Sequence, residues 1–139
     1  MDIDYNKVVE TLLRSDKWEE RAEAARNIGL HSDGRATHIL TKVLKREKDS
    51  VVISRIIEAM GRIRDPKATM SIIEILKQET IKQNPDRKLL FVIIESLMKI
   101  GDKRALEDLG ILHNSCDANI QELTEQAFEC IDPNWKQNI

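Results

Sequence analysis

Apolar residues recur every three or four positions along most of this chain, the spacing of one face of an α-helix. Val9, Leu12 and Leu13 form such a stripe near the start; Ile39, Leu40, Val43 and Leu44 form a second, and Ile72, Ile75 and Leu76 a third. Between them lies another set of stripes: Ala24, Ala25 and Ile28; Ile56, Ile57 and Met60; Ile93, Ile94 and Leu97. We call the first set A helices and the second set B helices. Polar breaks separate each A from its B, and each offers a side chain that accepts amide protons at a helix start: Asp16, Asp49 or Ser50, Asp86 after Pro85, and Asp117. The pattern predicts alternating helices throughout, from an A helix near Tyr5 to Leu13 to a B helix ending before Asp132 and Pro133.

The stretches between B and the next A resemble one another. They read "DGRAT", "DPKAT" and "DKRAL", which places Asp33, Asp65 and Asp102 in one column, 32 and then 37 residues apart, with Ala36, Ala68 and Ala105 three positions on. An Asp followed by Pro, as at Asp65 and Pro66, marks a helix start, because the carboxylate accepts free first-turn amides while Pro presets the backbone. Gly29 and Gly61 hold equivalent places near the ends of their B helices, where a missing side chain permits either a left-handed cap or close approach of a neighbouring helix. A period of this size, built of two helices, means a solenoid whose units bury their faces only by stacking. The expected fold is an all-α, right-handed α-α superhelical solenoid of four antiparallel helix pairs in a single domain spanning residues 1–139. The expected repeats are 2–32, 33–64, 65–101 and 102–133, followed by a short tail, 134–139.

The Gly, Asp-Pro, basic residue and Ala pattern resembles the HEAT-like repeat family, in particular the short repeats also found in phycobilisome lyases; "EAMGRIRDPKA" is the nearest stretch, and the likeness runs over about residues 4 to 133. "KWEERAEAARNIG" resembles the family's B helix, with Arg21 at its usual arginine position. Ile53 replaces that arginine in the second unit, Met98 replaces the glycine in the third, and the fourth unit is degenerate. Ankyrin and tetratricopeptide repeats have similar periods, but their signature stretches are absent.

Composition narrows the function. Of 139 residues, 22 are Lys or Arg and 24 are Asp or Glu, a net charge of -2 that argues against a dedicated nucleic-acid binder. The opening residues lack the basic and apolar segments of a secretion signal, and the longest apolar run, "LLFVII", is far short of the ~20 residues a membrane-spanning helix needs. Cytoplasmic location is the expectation. Cys116 and Cys130 form no CxxC pair and read as reduced thiols serving as small core residues. His31, His38 and His113 stand singly, and none is followed by Glu, unlike HEAT-like enzymes that hold iron through His-Glu pairs. With no phosphate loop or nucleophile motif either, the expectation is a non-enzyme with no catalytic residue, metal or cofactor. The basic cluster Lys42, Lys45, Arg46 and Lys48 lies near an A-helix C-terminus, where the helix dipole alone favours cations.

The resemblance implies that B helices line the concave side of the stack and that this surface binds protein. Counting back three residues from the glycine position gives Arg26, Glu58, Glu95 and Glu125; counting back six gives Glu23, Arg55, Val92 and Glu122. Acid exceeds base here, which suits a basic partner segment. The third B helix is apolar all round its first two turns: Phe91 and Val92 stand where the other units have Ala22 and Glu23, or Ser54 and Arg55. Such a helix is either buried on every side, here beneath the longer "LKQETIKQNPD" segment, or carries an adhesive patch. The expected partner-binding set is Arg26, Arg55, Glu58, Phe91, Val92, Glu95, Glu122 and Glu125, in a protein-protein interaction scaffold or adaptor. The alternative is a lyase-like or other ligand-handling subunit of a hetero-oligomeric enzyme.

Overall fold

The computed structural model describes residues 4–31 and 33–138. The expected limits of the first repeat at residues 2 and 32, and the last tail residue, 139, lie outside them. Eight α-helices run in the predicted order: α1 (Tyr5–Arg14), α2 (Trp18–His31), α3 (Thr37–Arg46), α4 (Ser50–Ile63), α5 (Thr69–Thr80), α6 (Arg87–Ile100), α7 (Leu106–His113) and α8 (Ala118–Ile131). No strand occurs among the described residues. Odd-numbered helices are the A layer and even-numbered ones the B layer, and together they make a helical-repeat solenoid. Successive B helices pack along much of their length, whereas successive A helices meet at only a few positions. The more closely spaced layer is the inner one of a curved stack, so the B helices form the concave side.

The core is the apolar stripe of both layers, continuous from Leu12 through Ile28, Leu40, Ile57, Leu76, Ile94 and Leu109 to Phe128. Of the two uses open to the B-helix glycines, close approach is the one found. A Cβ at Gly29 would lie 2.7 Å from Ala59 Cα, and one at Gly61 would lie 2.9 Å from Ser96 Cα. Both glycines sit inside their helices; the left-handed caps fall further on, at Arg64 (φ 62°) and Gly101 (φ 75°).

The aspartate column begins each new unit with a step the sequence did not reveal. Asp33, Asp65 and Asp102 accept the backbone N–H two residues on, from Arg35, Lys67 and Arg104 at 2.9 to 3.0 Å, closing one 3-10 turn before the α-helix starts. The buried alanines 36, 68 and 105 end those turns, so the A helices begin four residues after the aspartate. The second and third of these turns are tied to the unit before them. The Thr37 hydroxyl acts on Asp65 and the Thr69 hydroxyl on Asp102, while the Arg104 guanidinium donates to the Pro66 carbonyl at 3.1 Å. Thr69 Oγ1 has no partner at ordinary hydrogen-bond geometry, so its effect on Asp102 is that of a nearby dipole rather than a well-formed bond. The Arg104 guanidinium is the main cause holding the Asp102 carboxyl down at about 2; Asp65 is lowered chiefly by the Lys67 amide and Asp33 by the Arg35 amide.

The A-to-B turns share a second device. Asp49, Asp86 and Asp117 cap their helices as expected, but Asp16 does not cap α2. What recurs at all four turns is a side chain that takes the N–H of the residue before the helix: Ser15 from Lys17, Glu47 from Asp49, Glu79 from Asp86, and Ser115 from Asp117. Glu79 is buried and reaches across the extra residues of the third unit to the Asp86 N–H at 2.7 Å, so the insertion bulges outward without moving α6. Arg21 adds a fork to Glu47 (3.1 and 2.9 Å) and a bond to the Ser15 carbonyl, joining the first two units. The basic cluster also bridges units, since Arg46 at the end of α3 donates to the Leu13 carbonyl at the end of α1.

One expectation changes. Cys116 and Cys130 are exposed rather than core, one in the α7–α8 turn and the other in the last turn of α8. The short tail after residue 133 opens on an ordered turn. Asp132 accepts the Asn134 N–H at 3.0 Å and its carbonyl accepts the Trp135 N–H at 3.0 Å, repeating the start-of-unit turn with Trp135, buried, in the alanine column.

Gly29→Ala is expected to cost about 1–3 kcal/mol, because the new methyl meets backbone that cannot yield without parting α2 from α4; a urea melt measures it, and an unchanged midpoint would refute the close-packing account. The depressed Asp102 pKa gives stability that is complete above the unfolded value near 3.8 and drains away as pH falls toward about 2. Asp102→Asn is therefore expected to lower stability at neutral pH and to flatten its decline between pH 4 and 2, as followed by helicity during acid titration.

Candidate functional site

The inner face is built by the outward positions of the B helices, between the stripes that pack against neighbours. In α2, Arg26 and Glu23 are exposed and pair at 3.5 Å; in α4, Arg55 and Glu58 pair at 3.6 Å and are partly exposed. Exposed pairs of this kind contribute at most about 1 kcal/mol to stability. Glu95 in α6 and Glu122 in α8 are exposed and make no ion pair among the described residues. The paired sites cancel and the unpaired ones do not, so the acidic excess lies on the last two B helices.

Phe91 and Val92 are half-buried, packed against the core on one side and open on the other. The longer segment does not cover them fully. It is exposed itself, with Ile81 84% accessible, and its Lys82 lines a cleft with Ile53 and Ile75 toward the preceding unit. The ring of Phe91 is covered instead by Arg87, whose guanidinium lies 4.7 Å from the ring centroid. Arg87 also donates to the Asp117 carboxylate, which that bond holds below its usual range, and so links the caps of α6 and α8. Sequence reasoning missed Arg87. Its signal was a cation four residues before an aromatic at a helix start, a spacing that puts both on one face.

The register of the last unit differs from the sequence alignment by one residue. Asp86 and Asp117 bond the amides three residues on, at Leu89 and Ile120, and these caps are 31 positions apart, whereas aligning Glu122 with Val92 and Glu125 with Glu95 uses 30. Burial follows the caps: Ile120, Thr124, Ala127 and Phe128 repeat Leu89, Ile93, Ser96 and Leu97. Counting back from the next aspartate fails because α6 ends in the left-handed Gly101, while α8 passes directly into extended Asp132. Leu123 and Gln126 therefore occupy the places of Val92 and Glu95, and Glu122 that of Phe91. Glu125 leaves the concave row. It turns to His113 of α7, with Oε1 3.0 Å from Nε2. His31 and His38 are exposed on separate helices.

The expected set thus divides. Phe91, Val92, Glu95 and Glu122, joined by Leu123 and Arg87, lie on the last two B helices; Arg26, Arg55 and Glu58 lie on the first two; Glu125 belongs to the end of the stack. Such a face is equipped to hold an extended or helical segment by apolar contact flanked by carboxylates. Among the described residues no three His, Cys, Asp or Glu side chains converge to hold a metal ion, and no helix is long and apolar enough to cross a membrane.

Comparison with curated proteins gives no match. A family model of HEAT repeats matches residues 5–83, from α1 to just past α5, without distinguishing the phycobilisome-lyase type. The match spans more than half of the chain, includes the paired close-packing glycines and the Asp-Pro turn, and agrees with the paired-helix stack: the chain belongs to the HEAT-repeat family.

Proposed function

We propose that this chain is a non-catalytic adaptor that grips a segment of another protein on the concave side of its B helices. HEAT repeats commonly serve as protein-interaction scaffolds, and the family is generally non-enzymatic. The observation that carries the reading here is local: a half-open apolar strip, Phe91, Val92 and Leu123, sits beside two carboxylates, Glu95 and Glu122, that no cation among the described residues pairs. A basic partner segment with one or two large apolar residues complements it in both respects, the apolar contact supplying affinity and the charges orientation and association rate. Arg26, Arg55 and Glu58, already compensated within their own helices, form the rim. The whole of residues 1–139 acts as one binding domain in the cytoplasm.

Val92→Glu tests this. Because Val92 is already half-open, the carboxylate reaches solvent, and the expected stability loss is below about 1 kcal/mol. Association with the partner recovered by native pull-down and mass spectrometry is expected to fall at least about tenfold, which corresponds to roughly 1.4 kcal/mol of binding. A melting temperature lowered by tens of degrees would make Val92 core, and unchanged association with an unchanged melt would remove the site. Failure of any single protein to co-purify with the wild-type chain would remove the adaptor reading itself.

A further inference from the structure

The first two junctions between units are built alike at the A-to-B turn, yet the second departs from the first in two arginines. At the first junction the half-buried Arg21 of α2 forks onto Glu47 and donates to the Ser15 carbonyl, while Arg46 donates to the Leu13 carbonyl. A spacing of 32 residues carries this junction onto the next, as the helix starts show: Tyr5 to Thr37, Trp18 to Ser50, Thr37 to Thr69. On that spacing Ile53 takes the place of Arg21, Gln78 that of Arg46 and Glu79 that of Glu47. The match holds in the bonding, since Glu79 accepts the Asp86 N–H as Glu47 accepts the Asp49 N–H. Without the two guanidiniums a cleft of about 340 Å³ runs between α3 and α5, floored by Leu44, Ile53 and Ile75 and rimmed by Lys45, Lys48 and Lys82. A further space of about 130 Å³ shares Ile53, Ile75 and Lys82 with it and leads to Glu79 and Asp86.

Glu79 is the second observation. It is only 3% exposed, and burying a carboxylate is costly unless a well-placed cation meets it. Glu47, in the same place, is met by a two-pronged guanidinium that reaches it from the B helix below. Glu79 is met by one ammonium, with Lys82 Nζ 2.8 Å from Oε2, and Lys82 comes from the exposed segment outside the stack. An ammonium is a point charge on a flexible stem, whereas a guanidinium makes two bonds to a carboxylate in a fixed plane. The cations on the rim add to this. Lys45 and Lys48 are exposed and make no ion pair among the described residues. Of the carboxylates lining the larger space, Glu47 is taken up by Arg21 and Glu74 is exposed on α5.

We propose that this cleft receives an arginine from a segment of a partner protein. The guanidinium forks onto both oxygens of Glu79, as Arg21 forks onto Glu47, and displaces the Lys82 ammonium, an exchange of one cation for another. The arginine stem lies along Ile53 and Ile75. Acidic residues beside the arginine meet Lys45, Lys48 and the released Lys82, which makes the segment complementary in charge to the rim. Three lysines at separate points call for more than one anionic group, which a peptide segment supplies and a free guanidine compound does not. The site lies between A helices, apart from the concave face, and stands or falls independently of the adaptor reading.

The probe is a synthetic pentapeptide, Glu-Ala-Arg-Ala-Glu, labelled with fluorescein, titrated with the full chain at low ionic strength and followed by fluorescence anisotropy. A twin peptide carries citrulline, uncharged and of the same shape, in place of arginine. Saturable binding is expected, at least about tenfold weaker for the twin, which cannot make the charge-assisted bonds. Ile53→Arg supplies the guanidinium from within the chain; it should abolish binding and melt at the wild-type temperature or above, since Arg21 shows that such a junction holds an arginine there. Lys82→Ala, a change at an exposed side chain, removes the competing cation and should tighten binding several-fold. No saturable binding, equal binding of the citrulline twin, or unchanged binding by a folded Ile53→Arg would overturn the proposal. Weaker or unchanged binding by Lys82→Ala would overturn it too, and that measurement stands even where Ile53→Arg fails to fold. Free arginine amide that competes as tightly as the peptide would give the cleft to a small molecule, and self-association in light scattering that Ile53→Arg abolishes would give it to a second copy; either result overturns it.

Discussion

Where α2 crosses α4, and where α4 crosses α6, backbone meets backbone: Gly29 against Ala59 and Gly61 against Ser96, with no room for a Cβ on the glycine side. The remaining arrangement follows from these two contacts. They bring successive B helices together over much of their length while the A helices diverge, and that difference in spacing curves the stack. At the third crossing the glycine position holds Met98, and the cap-defined register places Ala127 opposite Ser96 in the series of small residues. The third interface is therefore built with a larger side chain between the helices. The positions left on the inner side are those that pack against no neighbour, which is why they are polar in the first two units.

The turns fix the angle at which each pair meets the next. At one edge the aspartates order a 3-10 turn, and Asp65 and Asp102 draw on a threonine of the preceding unit; at the other, Ser15, Glu47, Glu79 and Ser115 hold the residue that opens each B helix. Both devices satisfy amide groups that a helix start leaves without partners, and both tie the turn to a definite place. They also explain how the third unit carries its additional residues. Glu79 spans their base, so the extra chain is extruded and α6 keeps its place against α4.

The two surfaces of interest arise where this repetition lapses. On the inner side, apolar Phe91, Val92 and Leu123 interrupt a polar face. Between α3 and α5, Ile53 and Gln78 stand where the first junction has Arg21 and Arg46, which opens a cleft beside the buried Glu79.

The sequence by itself determined the eight helices, their pairing and the family, because those depend on local signals: a 3.6-residue apolar period, aspartates that cap, and a motif recurring at near-constant spacing. It also marked Phe91 and Val92 as irregular. It could not choose between a left-handed cap and a close approach for Gly29 and Gly61, since both uses exploit the missing side chain and only the neighbouring helix distinguishes them. Nor could it set the register of α8. Counting from the following aspartate presumes that every B helix ends alike, and the omission of one residue after Ile131 shifts Glu125 out of the concave row. Tertiary structure decided these points, along with the Arg87 stack on Phe91 and the exposure of both cysteines, because each depends on which side chains from distant parts of the chain reach the same place.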